Sequence, residues 1–142
     1  MPYEADISAA LQRLREDVFA RGDYATEDSM LASYRHLPDT PHKHQPASID
    51  ALLAQEGETG THSILDITSI SPKPKRKAIS PLPDSVLADF CLDGTPSRAE
   101  IEDVYELGSL EKYVNKPWRG IYIIAYEDGQ PSEIFFAGCS GD

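Results

Sequence analysis

Residues 120–137 read GIYIIAYEDGQPSEIFFA, and this stretch decides the fold. Two runs rich in β-branched and aromatic residues, 120–127 and 131–137, lie on either side of Asp128-Gly129. Because Asp-Gly favours a tight turn with positive φ, the pattern predicts an antiparallel hairpin.

A two-residue loop fixes the expected pairing of this hairpin. It places Tyr126 opposite Pro131, and further along it predicts the pair Ile123 and Ile134. The face that suits the core is then made of Ile121, Ile123, Ala125, Ser132, Ile134 and Phe136. The outer face carries Tyr122, Ile124, Tyr126, Glu133 and Phe135.

A third strand is predicted at residues 62–70 (HSILDITSI), which are dense in β-branched side chains and bounded by Gly60 and Pro72. Together with the hairpin it indicates an α+β fold. We expect a small, mainly antiparallel sheet of about three strands (62–70, 120–127 and 131–137), packed with four to five helices on one face.

Helices are predicted both before and after that strand in the sequence. Residues 6–21 carry one apolar stripe, with Asp6 as N-cap and Gly22 as terminator. Shorter helices are expected around Met30–Leu37 and between the N-cap Ser48 and Gly57.

Two more helices are predicted between the third strand and the hairpin, at 83–91 and 96–107. Ser97 followed by Glu100 has the spacing of a capping box, although Thr95 with Pro96 at the first helical position would start the second helix equally well. Gly108 is expected to end it.

The composition predicts one globular domain over 1–142, with exposed loops at 38–47 and 71–80. The chain has no apolar run long enough for a membrane helix and no leader-like N-terminus, so we expect no membrane association. Its two cysteines are too few for a disulfide framework, which favours the cytoplasm.

Charge argues against nucleic acid as the partner. The chain carries 13 Lys and Arg against 24 Asp and Glu, a formal net charge of −11. The one basic run, Lys73 to Lys77, has no aromatic residue interleaved for base stacking, so we interpret it as a solvated loop.

Motifs for catalysis or metal binding are weak. His42 and His44 are the only closely spaced histidine pair, and no CxxC or HExxH accompanies them. The tail Gly138-Cys139-Ser140-Gly141 superficially resembles a nucleophile elbow, but no helix can follow it to hold an oxyanion. We therefore predict no metal site, no catalytic residue and no cofactor.

Acidic residues concentrate in the second part of the chain, where residues 84–142 carry 12 acidic and only 4 basic side chains. On the helix at 96–107, Glu102, Asp103 and Glu106 form one outer face. Like charges at this spacing cost roughly 0.2–0.5 kcal/mol per pair. That penalty indicates either a face kept acidic for a partner or a face that only maintains solubility.

Aromatic residues supply a second candidate surface. If the helices cover one hairpin face, Tyr122, Tyr126 and Phe135 are left exposed around Glu133, with Trp118 just before the strand. Rigid aromatic side chains dominate many interfaces, so this group is a candidate for protein binding. The alternative is that the segment 22–47 or a helix covers it.

These features favour a protein-binding module that docks on a basic protein through the helix carboxylates and the hairpin aromatics. In size and charge the chain resembles small acidic immunity, antitoxin and inhibitor proteins, whose charge speeds association. The other hypothesis is a small-ligand-binding protein or enzyme, with Glu133, Tyr122, Tyr126 and either His62 or Asp66 lining a pocket on the outer hairpin face.

Overall fold

The computed structural model describes residues 1–34 and 46–140. This part of the chain is an α+β structure with six helices and a four-stranded mixed sheet. The helices are α1 (Ile7–Arg21), α2 (Glu27–Tyr34), α3 (Ile49–Glu56), α4 (Asp84–Phe90), α5 (Arg98–Glu106) and α6 (Glu111–Val114). The strands are β1 (Ser69–Ile70), β2 (Ala78–Pro81), β3 (Arg119–Glu127) and β4 (Gln130–Cys139).

The sheet has the strand order β1-β2-β3-β4. β1 and β2 pair in parallel, β2 and β3 also pair in parallel, and β3 and β4 form the antiparallel hairpin. The prediction of about three mainly antiparallel strands is therefore only roughly right. The chain leaves β2, passes through α4, α5 and α6, and re-enters the sheet as β3, and such a crossover makes neighbouring strands parallel.

The ends of the longer helices follow the predicted capping. The Asp6 side chain accepts a hydrogen bond from the first turn of α1, and Gly22 ends that helix with a φ of 70°. Of the two possible N-caps of α5, Thr95 and Ser97, the structure uses Ser97. Its hydroxyl accepts from the Glu100 N–H (3.3 Å), and the Glu100 carboxylate accepts from the Ser97 N–H (2.7 Å), which completes a capping box.

The shorter helices follow the sequence less closely. α3 begins after Ser48 and ends at Gly57, as predicted. α2 begins slightly earlier than predicted, and Leu37, expected in it, lies outside the described residues. α6 was not predicted, and this single turn buries Val114.

Residues 62–70 do not form the predicted strand. A 3-10 turn occupies Ile64–Asp66, and only Ser69–Ile70 pairs as a strand. The buried carboxyl group of Asp66 accepts hydrogen bonds from the N–H (2.8 Å) and the hydroxyl (3.0 Å) of Thr61. Side-chain bonds to nearby backbone compete with strand pairing, and here they override the β-branched composition.

The prediction of an exposed loop at 71–80 is also partly wrong. Ala78, Ile79 and Ser80 are buried and belong to β2, which pairs with β3. Of the other predicted loop, residues 38–45 lie outside the described part of the chain, and residues 46–47 lead into α3.

The hairpin has the predicted turn but not the predicted faces. Asp128 and Gly129 both have positive φ, and Tyr126 pairs with Pro131 as expected. Beyond that pair the register shifts by one residue, because Ser132 is an extra residue in β4 and its hydroxyl donates to the Ala125 carbonyl oxygen (3.2 Å). A shift of one residue reverses the faces, so every β4 side chain from residue 133 onward lies on the face opposite to the one predicted.

Helices cover both faces of the sheet, not one. On the first face, α4, α5 and α6 pack on a buried cluster of Leu82, Ile101, Leu110, Val114, Ile121, Ile123 and Ala125. On the second face, Leu11 of α1 packs with Ile67 and Ile79, and Tyr122 and Phe136 lie against this cluster. We call these the α5 face and the α1 face. Across the described residues, none of the helices combines the length and the apolar character that crossing a bilayer requires.

Candidate functional site

The eight residues predicted to bind a partner do not form one surface. Glu133 and Phe135 lie on the α5 face, beside the predicted carboxylates of α5. Tyr122 and Tyr126 lie on the α1 face. The reversal of β4 by the bulge is the reason for this separation.

Trp118 is buried, with 7% of its surface exposed, so the expectation of an exposed ring is wrong. The ring packs on Gly60, where an added Cβ would lie only 2.6 Å from it. The cations of Arg76 and Lys77 cover the ring at 5.0 and 5.1 Å from its centre. Part of the basic run predicted to be solvated therefore has a structural role against Trp118.

Tyr122 is partly buried and packs against Phe136 on the α1 face, with ring centres 6.4 Å apart. Burial raises the pKa of the Tyr122 phenol. Tyr122 is therefore a packing residue on this face, away from Glu133 and Phe135.

The α5 face carries an aromatic pair of exposed Tyr105 and half-buried Phe135, of which only Phe135 was predicted. Tyr105 is 46% exposed, and its ring meets Phe135 edge to face with centres 5.3 Å apart. Leu107, two residues further on, is 80% exposed. Asp103 and Glu106, the neighbours of Val104 and Tyr105 in the sequence, are both exposed, so α5 presents acidic side chains as well as this aromatic ring to solvent.

The predicted carboxylates on this face fall into two classes. Arg98 binds Glu102 at 2.6 Å and Glu133 at 3.3 Å, so both of these acids have a cation beside them. The hydrogen bond to Glu102, together with both negative charges, raises the pKa of Arg98. Among the described residues neither Asp103 nor Glu106 has an ion-pair partner, which leaves these two as the unneutralised acids of α5.

A cavity of about 280 Å³ lies next to the aromatic pair, between α5 and β4. Its polar wall is the Arg98, Glu102 and Glu133 cluster, and its apolar wall includes Phe135 and Ile101. Three predicted site residues, Glu102, Glu133 and Phe135, are thus brought to one region.

β4 is an edge strand, and part of its edge is paired by the start of the chain. The Ile134 N–H donates to the Met1 carbonyl oxygen (2.8 Å), and the Tyr3 N–H donates to the Ser132 carbonyl oxygen (3.0 Å). Pro2 forms an antiparallel bridge with Glu133. Residues 1–3 therefore cover 132–134. The outer edge of 135–139 has no further strand beside it within the described structure, although Cys139 also forms a parallel bridge with Pro117.

A second cavity, of about 350 Å³, follows that uncovered part of β4. It is lined on one side by Phe136, Ile64 and Ile67 and on the other by Phe135 and Tyr105. The groove thus has walls on both faces of the sheet and shares Phe135 with the smaller cavity.

The residues proposed for catalysis are not assembled. Glu133 is held by Arg98 on the α5 face, Tyr122 lies on the α1 face, and Asp66 is buried against Thr61. Of the proposed set, His62 alone lines the larger cavity.

No group of three or more metal-ligating side chains occurs in the described ranges 1–34 and 46–140, and His42 and His44 fall outside them. Cys139 is half-buried at the end of β4, next to the larger cavity.

No protein-family model matches the chain, and neither a curated protein nor a solved structure matches it. Its function is therefore inferred from the geometry of this chain alone.

Proposed function

We propose that the chain is a protein-binding module that docks on a basic partner through the outer side of α5 and the adjoining Phe135. One observation carries this proposal: Tyr105 is exposed and braced edge-on by Phe135, on the same helix that presents the unneutralised carboxylates of Asp103 and Glu106. An exposed aromatic anchor held in place loses little conformational entropy on binding, and such anchors contribute most at interfaces.

Charge supports a basic partner over a neutral one. The chain has a formal net charge of −11, and its acids concentrate in the part that contains α5. Such a field attracts a positively charged protein and speeds its association, by an amount that falls as salt rises. Asp103 and Glu106 determine the side from which the partner approaches, and Tyr105 with Leu107 supplies apolar area.

The test compares three baits in affinity capture from the native host, at low and at moderate salt. The first is the wild-type chain, and the second replaces the α5 acids by Glu102→Gln, Asp103→Asn and Glu106→Gln. The matched control, Glu16→Gln with Asp17→Asn and Asp23→Asn, changes the net charge equally but alters α1 and the residue just after its C-cap, on the other face of the sheet. It removes the exposed ion pairs of Asp17 and Asp23 with Arg21, which contribute little to stability, and a glutamine at position 16 still offers an acceptor to the Gln12 amide.

We expect one basic protein to be retained by the wild type and the control and lost by the α5 variant. With that protein purified, association should slow by about ten-fold for the α5 variant. Equal retention by all three baits, or no specific retention by any, would contradict the proposal.

The larger cavity favours a second candidate function, the binding of a small ligand. Its volume of about 350 Å³ lies at the low end of the range of ligand pockets, and its walls include Phe136, Ile67 and the side chain of His62. A small apolar ligand bound there should raise the thermal midpoint, and Ile67→Trp, which fills the cavity, should abolish that rise. Screening that finds no stabilising compound would remove this candidate.

A further inference from the structure

We propose that the uncovered part of the β4 edge, residues 135–139, binds an extended segment of a partner protein as a fifth strand. Alternate basic side chains of that segment lie toward α5. This inference rests on the proposed function, because it specifies how the basic partner of that same surface is held.

Backbone groups are available for such a strand. In an antiparallel ladder, successive residues bond alternately to one side and to the other. Ile134 bonds outward to Met1, so the N–H and C=O groups of Phe136 and Gly138 also point away from β3. Within the described residues these groups have no hydrogen-bond partner.

This edge lacks the features that usually prevent strand addition. Proteins protect exposed edges with charged residues, proline or a covering segment. Residues 135–139 read FFAGC, with neither a charge nor a proline. The neighbouring part of the same edge is already covered by residues 1–3, which shows that its backbone accepts an extended, antiparallel chain.

Both faces beside the edge offer room for the side chains of a guest strand. Five residues of strand span about 17 Å, and the larger cavity follows this length on both faces. A guest residue opposite Phe136 would place its side chain on the α1 face, against Ile64 and Ile67. Its neighbour would point to the α5 face, beside Phe135 and Tyr105.

Charge selects the kind of segment. The α5 face continues from the groove through Phe135 to Glu102 and Glu133, whose two negative charges exceed the one positive charge of Arg98 between them. α5 also presents the unpaired acids Asp103 and Glu106. Guest side chains that point this way are favoured when they are basic. Those that point to the α1 face meet isoleucine and phenylalanine and are favoured when they are apolar. The occupant is therefore an extended segment in which apolar and basic residues alternate.

The probe is a short fluorescein-labelled peptide of alternating valine and lysine, titrated with the full chain and followed by fluorescence anisotropy. In the proposed register the valine N–H groups face β4 and the lysine N–H groups face solvent. N-methylation of the central valines should therefore weaken binding by about ten-fold or more. N-methylation of the central lysines is the matched control and should change the affinity of the peptide little.

A second pair of measurements varies the protein. Phe136→Pro removes the outward N–H, whereas Phe136→Ala removes the same ring and keeps the N–H. We expect the proline variant to bind the peptide at least about five-fold more weakly than the alanine variant. Circular dichroism checks that both are folded, and the methylated peptides test the same contact on the wild-type chain should the proline variant not fold.

Each outcome separates this inference from the proposed function. Binding that needs the α5 acids but tolerates methylated valine overturns strand addition and leaves the docking proposal standing. Binding that is equal for a valine–glutamate peptide overturns the charge assignment. If the chain does not bind the peptide at millimolar concentration, strand addition is overturned. The docking proposal is then still tested separately, by the affinity capture with the three baits. Self-association of the wild type that Phe136→Pro abolishes would identify the occupant as a second copy and overturn the partner assignment.

Discussion

The bond network around Asp66 replaces the strand that the sequence predicts, so its removal should be costly. Asp66→Ala takes away the acceptor for two groups of Thr61, its N–H and its hydroxyl. The hydroxyl keeps the Ser63 hydroxyl as a neighbour at 2.8 Å, but the Thr61 N–H is left buried without a partner. An unsatisfied buried donor costs about 1–3 kcal/mol, and with the second lost bond we expect a total of about 2–4 kcal/mol.

The assay is urea unfolding, followed by circular dichroism and by the fluorescence of Trp118, which lies beside this network. With a denaturant slope of about 2 kcal/mol per molar urea, the midpoint should fall by about 1–2 M. Asp66→Asn keeps an acceptor oxygen for the Thr61 N–H and should lose about half as much free energy of unfolding. If both variants stay within about 0.5 kcal/mol of the wild type, the network does not determine the conformation of this segment.

Three further predictions concern the hairpin, the thiols and α5. Gly138→Ala would place a methyl group 2.5 Å from the Arg119 carbonyl oxygen, so the free energy of unfolding should fall by about 1–3 kcal/mol in urea titrations; an unchanged midpoint would contradict this. The hydrogen bond to a neighbouring carboxylate and, to a lesser extent, burial raise the pKa of the Cys91 thiol. Below that raised pKa the thiol stays protonated, so iodoacetamide should label Cys139 before Cys91, which peptide mass mapping at pH 8 would show. Faster labelling of Cys91 would refute this prediction. Ser97→Ala removes the N-cap of α5 and should cost about 1 kcal/mol in thermal unfolding, and an unaltered thermal midpoint would argue against the capping box.

Local signals explain the elements that the sequence predicts well. The boundaries of α1 follow from Asp6 and Gly22, which act within one turn of the helix ends. The hairpin turn follows from Asp128-Gly129, whose positive φ angles need no distant contact. In each case the residues that determine the geometry are neighbours in sequence.

The remaining elements depend on pairing between distant residues. β2 is a strand because β3 lies beside it, and nothing within residues 78–81 indicates this partner. The bulge at Ser132 depends on the same kind of contact, and a single extra residue was enough to assign the β4 side chains to the wrong faces. The alternation of apolar and polar residues along a strand cannot by itself reveal that shift.

The candidate site was predictable in its charges and in Phe135, but not in Tyr105. Asp103 and Glu106 are exposed on α5, as the helical spacing indicated. Tyr105 carries no signal in the sequence that marks it as a surface residue, and it is 46% exposed against Phe135. Trp118 was expected at the surface and is covered by cations from a loop remote in sequence.

Amide hydrogen exchange at Phe136 and Gly138 tests the central claim most directly. Both N–H groups point to the uncovered edge, so in the free protein they should exchange quickly, while their neighbours in β4 are protected by β3. On addition of the valine–lysine peptide, exchange at these two amides should slow, and the resonances of Tyr105 should shift with them. Unchanged exchange at both amides in the presence of saturating peptide, or protection already present in the free protein, would contradict the account.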